Sequence, residues 1–316
     1  MLVSKGSEVI AETAFGLANQ KTGKRNTTTT LFKTESTGKM ITAVAVLQLV
    51  EAGQLDLQKT IIDYWPESKI RNANKMTLHQ LLTHQSGLTS PWERPDFEFK
   101  QYTNEEWWNF IETNPLVFDE PGKGVYYSSS AFEVLAKIVE KVSGLEFQDY
   151  CKEKIFVPAE MEHTYYTMDT TSYFSRGANP YRWIGSKTYY EYPVSHLQAG
   201  GAGGWLSCIE DFHHFALALM NEKLISKKYL DLMMTEHVDF YPGKYGYGMQ
   251  IYKDLMVPGK TVYGHNGGGM GFSCDLFFEP ESKTIMVTML NMYGNSRSLT
   301  RNYMATVLGN EPQIPE

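Results

Sequence analysis

The most apolar segment of the chain runs Met40-Ile41-Thr42-Ala43-Val44-Ala45-Val46-Leu47-Gln48-Leu49-Val50. It is apolar almost all the way round, which predicts a helix buried on every side rather than one lying on a surface. Gly53 supplies the usual C-terminal stop. Shorter helical periods follow at 77–82 (opened by a cap-like Thr77 and broken at Ser86-Gly87), 104–113, 130–142 (ended by Ser143-Gly144), 209–220, 227–234 and 298–308. From Tyr247 onward the period changes. Segments 248–252, 261–264, 275–278 and 284–289 read as strands, the last two joined across Pro280-Glu281-Ser282. At the other end, 2–4 and 8–12 flank Lys5-Gly6-Ser7 as a hairpin. Strands at both chain ends with helices between them predict an α+β fold: one antiparallel sheet flanked by helices and built from both termini, with an inserted, mainly helical domain. The spacing places the sheet domain at 1–57 and 172–316 and the helical domain at 58–171, each boundary to within roughly 15 residues. The irregular stretch 168–204 is rich in Tyr and Gly, and a loop of that length inside a compact domain predicts function.

Composition narrows the classes. The chain has 316 residues and a net charge of −7, so it can bury a sizeable core and offers no basic footprint for nucleic acid. The abundant aromatics then read as core and pocket lining, which points to a small-molecule or peptide substrate. No apolar run reaches the length of a membrane span. Cys151, Cys208 and Cys274 are far apart and show neither metal spacing nor a disulfide framework. No secretory leader is visible at Met1, so the chain as written reads as cytoplasmic; the first strand is almost all turn, which leaves export open if residues precede it. Oligomeric state is not legible.

Candidate chemistry begins at the head of the apolar helix. Ser36-Thr37-Gly38-Lys39 is the only S-x-x-K in the chain, and residues three apart share one helix face. Burial there disfavours a charged amine, which makes Lys39 a proton acceptor able to activate the Ser36 hydroxyl without a histidine. Against this stands the ordinary reading, a serine helix cap with a lysine reaching solvent. Pro121-Gly122 leads into Tyr126-Tyr127 and Ser128-Ser129-Ser130, where a tyrosine could shuttle protons or simply pack at a helix cap. The run Gly264-His265-Asn266-Gly267-Gly268-Gly269 could bring a bare backbone edge, and an N–H, to a developing oxyanion. It lacks the Lys-Ser/Thr of a phosphate loop. Glu210, His213 and His214 have helical spacing for a metal, but no third element adds a ligand, so no metal or cofactor is implied. His84 reads as a residue that fixes its loop rather than as a base.

Taken in order, these motifs resemble those of the serine β-lactamases and penicillin-binding proteins, in particular the class C β-lactamase-related branch that includes carboxylesterases, D-aminopeptidases and DD-peptidases. That family carries S-x-x-K, then Y-x-N, then K-T-G or H-x-G. Ser36 and Lys39 match the first, Tyr127 the second and His265-Asn266-Gly267 the third; Leu81 to Leu88 and Gly200-Gly201 to Phe215 are similar to further family stretches. The resemblance implies a nucleophile at Ser36, a base shared by Lys39 and Tyr127, an oxyanion hole from the N–H groups of Ser36 and Gly268, and substrate contacts from Ser129, His265 and Gly267. It departs in three ways. Ser129 replaces an asparagine that helps hold a substrate amide, and His265 replaces the lysine that meets the carboxylate of β-lactams and D-Ala-D-Ala peptides. The helix that precedes the first strand is absent, which predicts an uncovered sheet face or a chain lacking its beginning. An ester or a D-amino-acid amide or peptide is therefore the expected substrate. The alternatives are a β-lactamase or DD-carboxypeptidase proper, or a catalytically silent binding protein on the same fold. The aromatics at Trp92, Trp107-Trp108, Tyr181-Arg182-Trp183 and Tyr189-Tyr190 are candidate specificity elements.

Overall fold

Both ends of the chain build one eight-stranded sheet. The computed structural model describes residues 1–98, 102–166, 175–184, 188–191, 200–269, 271–292 and 296–309. Its strands are β1 (Leu2–Lys5), β2 (Glu8–Glu12), β3 (Leu17–Asn19), β4 (Lys24–Arg25), β5 (Phe32–Lys33), β6 (Tyr181–Ile184), β7 (Thr188–Glu191), β8 (Leu206–Ser207), β9 (Val238–Phe240), β10 (Gly243–Tyr245), β11 (Gln250–Lys253), β12 (Thr261–Gly269), β13 (Phe272–Glu279) and β14 (Thr284–Leu290). The large sheet has the order β2-β1-β14-β13-β12-β11-β10-β9. All of its neighbours are antiparallel, and β1 pairs the last strand with Leu2 opposite Val287. The other strands form the two-stranded ribbons β3–β4, β5–β8 and β6–β7.

Alternation along the strands sorts residues to two faces. Leu2, Leu276, Phe278, Ile285, Val287 and Met289 join the main core around helix α1 (Lys39–Glu51). Val3, Tyr252, Val262, Phe277 and Met286 form the opposite face with Met304 and Ala305 of the C-terminal helix at Ser296–Val307. That helix covers the face expected to lie open; its Thr300 hydroxyl donates to the buried Asp275 at 3.0 Å and lies 3.1 Å from the Thr288 hydroxyl, from which it can accept. Strand β2 stays exposed throughout, Val9 and Ile10 included.

Lys39 to Leu47 are all buried, as uniform apolarity predicts, and Gly53 at φ +71° ends the helix. The helix does not begin at Ser36. Residues Glu35–Gly38 form a 3-10 turn, and α1 starts at Lys39. The helices α2 (Ile61–Tyr64), α3 (Leu78–Leu82), α4 (Asn104–Thr113), α5 (Ser129–Ser143) and α6 (Phe147–Cys151) follow, then α7 (Ile209–Met220), α8 (Lys227–Met233) and the C-terminal α9 (Ser296–Val307). Caps set several of these ends: Thr77 and Thr103 accept the N3 amides of α3 and α4, and Ser128 accepts Ala131 N at 3.1 Å to start α5.

The two histidines of the Glu210, His213 and His214 spacing on α7 have separate partners. His213 Nε2 meets Ser4 Oγ at 2.7 Å, whereas His214 Nδ1 faces the Glu160 carbonyl at 2.9 Å. Among the described residues no group of three or more His, Cys, Asp or Glu could hold an ion. His213 instead ties α7 to β1. Burial pushes its pKa from 6.5 down to about 4, opposed by a hydrogen bond to the Gly6 backbone. The unfolded chain therefore binds the proton first as pH falls below 6.5, and stability drops until the folded ring titrates near 4. The full loss is about 3 kcal/mol. Melting temperatures at pH 7 and 4.5 check it: His213→Gln is expected to lose clearly less on acidification than the wild type, and an equal loss rejects the assignment.

Candidate active site

The 3-10 turn carries Ser36 onto the glycine run of β12. Glu35, the residue before the serine, is held at φ +47°, a conformation that costs energy for a residue with a Cβ. Its carbonyl accepts Gly204 N at 3.1 Å, and Gly203 permits the approach: at φ +120°, a Cβ there would fall 1.8 Å from Glu35 O. On the sheet side, a Cβ on Gly267 would fall 2.3 Å from Thr34 O, and one on Gly269 would fall 2.5 Å from the Glu35 carboxyl. Thr37 Oγ1 donates to Cys274 O at 2.9 Å, and Cys274 lies opposite Gly267 in register. The glycines thus let a second backbone lie on the strand, which sets Ser36 over the Gly267–Gly269 run.

Lys39, the first residue of α1, is fully buried. Its Nζ lies 3.0 Å from Ser36 Oγ, 3.1 Å from Ser129 Oγ and 3.0 Å from Ala202 O. An ammonium would spend its three protons on these three acceptors. A neutral amine donating to Ser129 and Ala202 has its lone pair left for the Ser36 hydroxyl. The Tyr127 ring completes the cluster, its centroid 4.9 Å from Lys39 Nζ.

A shell of packed side chains holds that tyrosine. His84 packs on it at 4.4 Å between centroids, and Phe240 lies 6.0 Å away. His84 Nδ1 accepts the Ser128 N–H at 3.1 Å, which assigns the ring proton to Nε2 and anchors the residues around Tyr127, the loop-fixing place expected for it. Burial pushes its pKa well below the usual histidine range, helped by the charges of Lys39 and His265. Ser129 N donates to Ser90 Oγ at 3.0 Å, Ser90 N to Glu93 at 2.7 Å, and the Tyr126 hydroxyl to Glu93.

Two residues expected to contact substrate are enclosed in this structure. Ser129 is 2% exposed and its hydroxyl serves Lys39. His265 is 1% exposed; its Nδ1–H faces the Asn266 carbonyl at 2.6 Å and its Nε2 accepts from the Tyr245 hydroxyl at 3.0 Å. Burial raises the Tyr245 pKa well above the ordinary phenol, which keeps it a donor. Both side chains thus brace the lysine and the glycine strand of the site. Tyr245, Ser90, Phe240 and the Ala202 carbonyl are participants that the sequence did not flag. Of the candidate aromatics, Trp108 packs edge-on to Trp65 at 5.2 Å and Tyr181 is buried, its hydroxyl accepting Gln20 N, while Trp92 is 41% exposed. The side chains of Trp183, Tyr189 and Tyr190, like residues 167–174, 185–187 and 192–199 of the long loop, lie outside the described residues.

The chain is similar to known proteins along most of its length. A family model described as Beta-lactamase covers residues 1–310. The Bacillus subtilis (strain 168) protein named "Putative penicillin-binding protein PbpX" is 31% identical over 304 residues, which is 94% of this chain and 71% of that protein. Esterase EstB of Burkholderia gladioli is 33% identical over 159 residues, 45% of this chain and 40% of its own length. The crystal structure of penicillin binding protein from Bacillus halodurans superimposes with a TM-score of 0.84 at 27% identity, over 97% of this chain and 94% of that one. A family model spanning nearly the whole chain, with a relative of this identity and coverage, establishes that the chain belongs to the Beta-lactamase family of serine hydrolases.

Proposed function

We propose that the protein hydrolyses an ester or a D-amino-acid amide or peptide through an acyl-enzyme on Ser36. The observation that carries this reading is the 3.0 Å contact between Ser36 Oγ and the Nζ of a fully buried lysine whose other two partners are fixed. Lys39, acting as a pair with Tyr127, takes the hydroxyl proton as Ser36 Oγ attacks the carbonyl carbon. The oxyanion is met by the backbone N–H of Ser36, since a helical turn leaves its first amides without intrahelical partners, and, as the family resemblance implies, by that of Gly268 on β12. The same pair returns the proton to the leaving group. Water then repeats the sequence on the acyl-enzyme.

His265 favours esters and amides over β-lactams. It stands enclosed, with both ring nitrogens engaged by Asn266 O and the Tyr245 hydroxyl, where an accessible cation would be needed to meet a substrate carboxylate. The esterase relative supports the same direction. A panel of p-nitrophenyl esters, D-amino-acid amides and nitrocefin tests the reading. Turnover of esters or amides with slow nitrocefin cleavage is expected, together with an acyl adduct on Ser36 by intact-mass spectrometry. Fast nitrocefin turnover with slow ester cleavage would transfer the assignment to a β-lactamase, and no adduct with any donor would leave a silent binding protein.

A further inference from the structure

Lys39 Nζ has three partners, and one of them is a backbone carbonyl that owes its place to a carboxylate outside the triad. Glu133 on α5 accepts Gly201 N at 3.1 Å through Oε2 and Ala202 N at 3.0 Å through Oε1. The carbonyl of that same Ala202 accepts Lys39 Nζ at 3.0 Å. The turn is closed on itself by Gly200 N to Gly203 O at 2.9 Å and Gly203 N to Gly200 O at 3.1 Å. It is tied to α1 as well, because Thr42 Oγ1 donates to Gly201 O at 2.6 Å. Glycine makes room at both positions facing α5. A Cβ on Gly200 would fall 2.3 Å from the Glu133 carboxylate, and one on Gly201 would fall 1.9 Å from Phe132 O. Glu133 also lines a cavity of about 210 Å³ with Trp107, Trp108, Lys137 and Tyr166. Lys137 is paired there with Glu140 at 2.7 Å, and burial raises the Glu133 pKa while the two amides and Lys39 oppose the rise.

We propose that Glu133 is a positioning residue for acyl transfer: its two oxygens set the 200–203 turn so that the Ala202 carbonyl orients Lys39 Nζ toward Ser36. The inference rests on the nucleophile and base assigned above. Its chemistry is one of angle. The amine lone pair points at Ser36 only while two other acceptors are fixed, and Ala202 O is one of them. A carboxylate can accept both amides at once, whereas an amide side chain accepts one and turns its own N–H₂ toward the other.

Glu133→Gln tests this, with Ser36 acylation by a p-nitrophenyl ester followed by intact mass, steady-state kinetics and a thermal melt. We expect the acylation rate and kcat to fall roughly tenfold to a hundredfold, the size of effect that misplacement by an ångström produces. KM should stay within about twofold, because no substrate contact is removed. A folded Glu133→Gln protein that acylates at the wild-type rate, or that loses activity only through KM, overturns the proposal. Should that variant lack a cooperative melt, Glu133→Asp, which keeps the charge but shortens the reach, carries the same comparison with the same criteria. The wild type is the control for the underlying reading: if it forms no adduct at Ser36, the nucleophile assignment fails before Glu133 is tested.

Discussion

Ser36→Ala is expected to lower turnover at least ~10³-fold and to abolish the covalent adduct, while the protein still folds. The structure separates these outcomes. Ser36 caps no helix, since the 3-10 turn has no side-chain cap, and its hydroxyl makes one contact with Lys39. Removing it deletes the attacking atom and little else. Lys39→Ala differs. It empties a fully buried site and strips a donor from both Ser129 Oγ and Ala202 O, so it should cost stability as well as rate. Tyr127→Phe keeps the ring packed between His84 and Phe240 and tests the hydroxyl alone. If the three groups act as one unit, Ser36→Ala/Lys39→Ala and Ser36→Ala/Tyr127→Phe will be no slower than Ser36→Ala itself. Steady-state rates on the preferred ester, with melts to normalise for folded protein, decide the matter. Unchanged turnover in Ser36→Ala ends the acyl-enzyme reading.

How far the sequence carried depends on where each signal resides. Helix α1 was legible because its lack of a polar face has one physical meaning, and burial from Lys39 through Leu47 agrees with it. The β1–β2 and β13–β14 hairpins were legible from strand runs around turn residues. The β9–β10 hairpin was not: Val238–Phe240 and Gly243–Tyr245 are three residues each and carry Asp239 and Lys244, too short and polar for a period to show. Strand β12 was cut short at Gly264 because glycine hides a strand, although pairing with β13 continues through Gly269. Within the site, side chains in motifs were visible, but two kinds of participant were not. The Ala202 carbonyl is backbone and has no residue signature, and Glu133 sits on an amphipathic helix where a glutamate ordinarily faces water. His265 and Ser129 were found as positions. Their direction, inward to Tyr245 and Lys39, follows only from packing.

Gly267→Ala is expected to disable the site from the sheet side. The effect is steric: Gly267 is not among the glycines at positive φ, so alanine suits its backbone, but the new methyl would stand 2.3 Å from Thr34 O and 2.9 Å from Thr37 Oγ1. Contact at that distance with a backbone oxygen forces the turn and strand apart by about an ångström. The turn cannot tilt freely to escape, since Thr37 is bonded to Cys274 directly across the strand pair and Gly204 holds Glu35 from the other side. Ser36 therefore moves relative to Gly268, and acylation should fall about 10²-fold, with a stability loss of about 1–3 kcal/mol for the overpacked contact. Gly124→Ala is the matched control, because a Cβ there meets Phe118 at an ordinary 3.4 Å. Labelling rates and melting temperatures of the two variants discriminate between explanations of the glycine run. If Gly267→Ala labels and melts like the wild type while Gly124→Ala does too, close packing of the serine turn on β12 is not what these glycines serve. If only Gly267→Ala fails, the run exists to bring two backbones together at the nucleophile, and the oxyanion amides are a consequence of that approach.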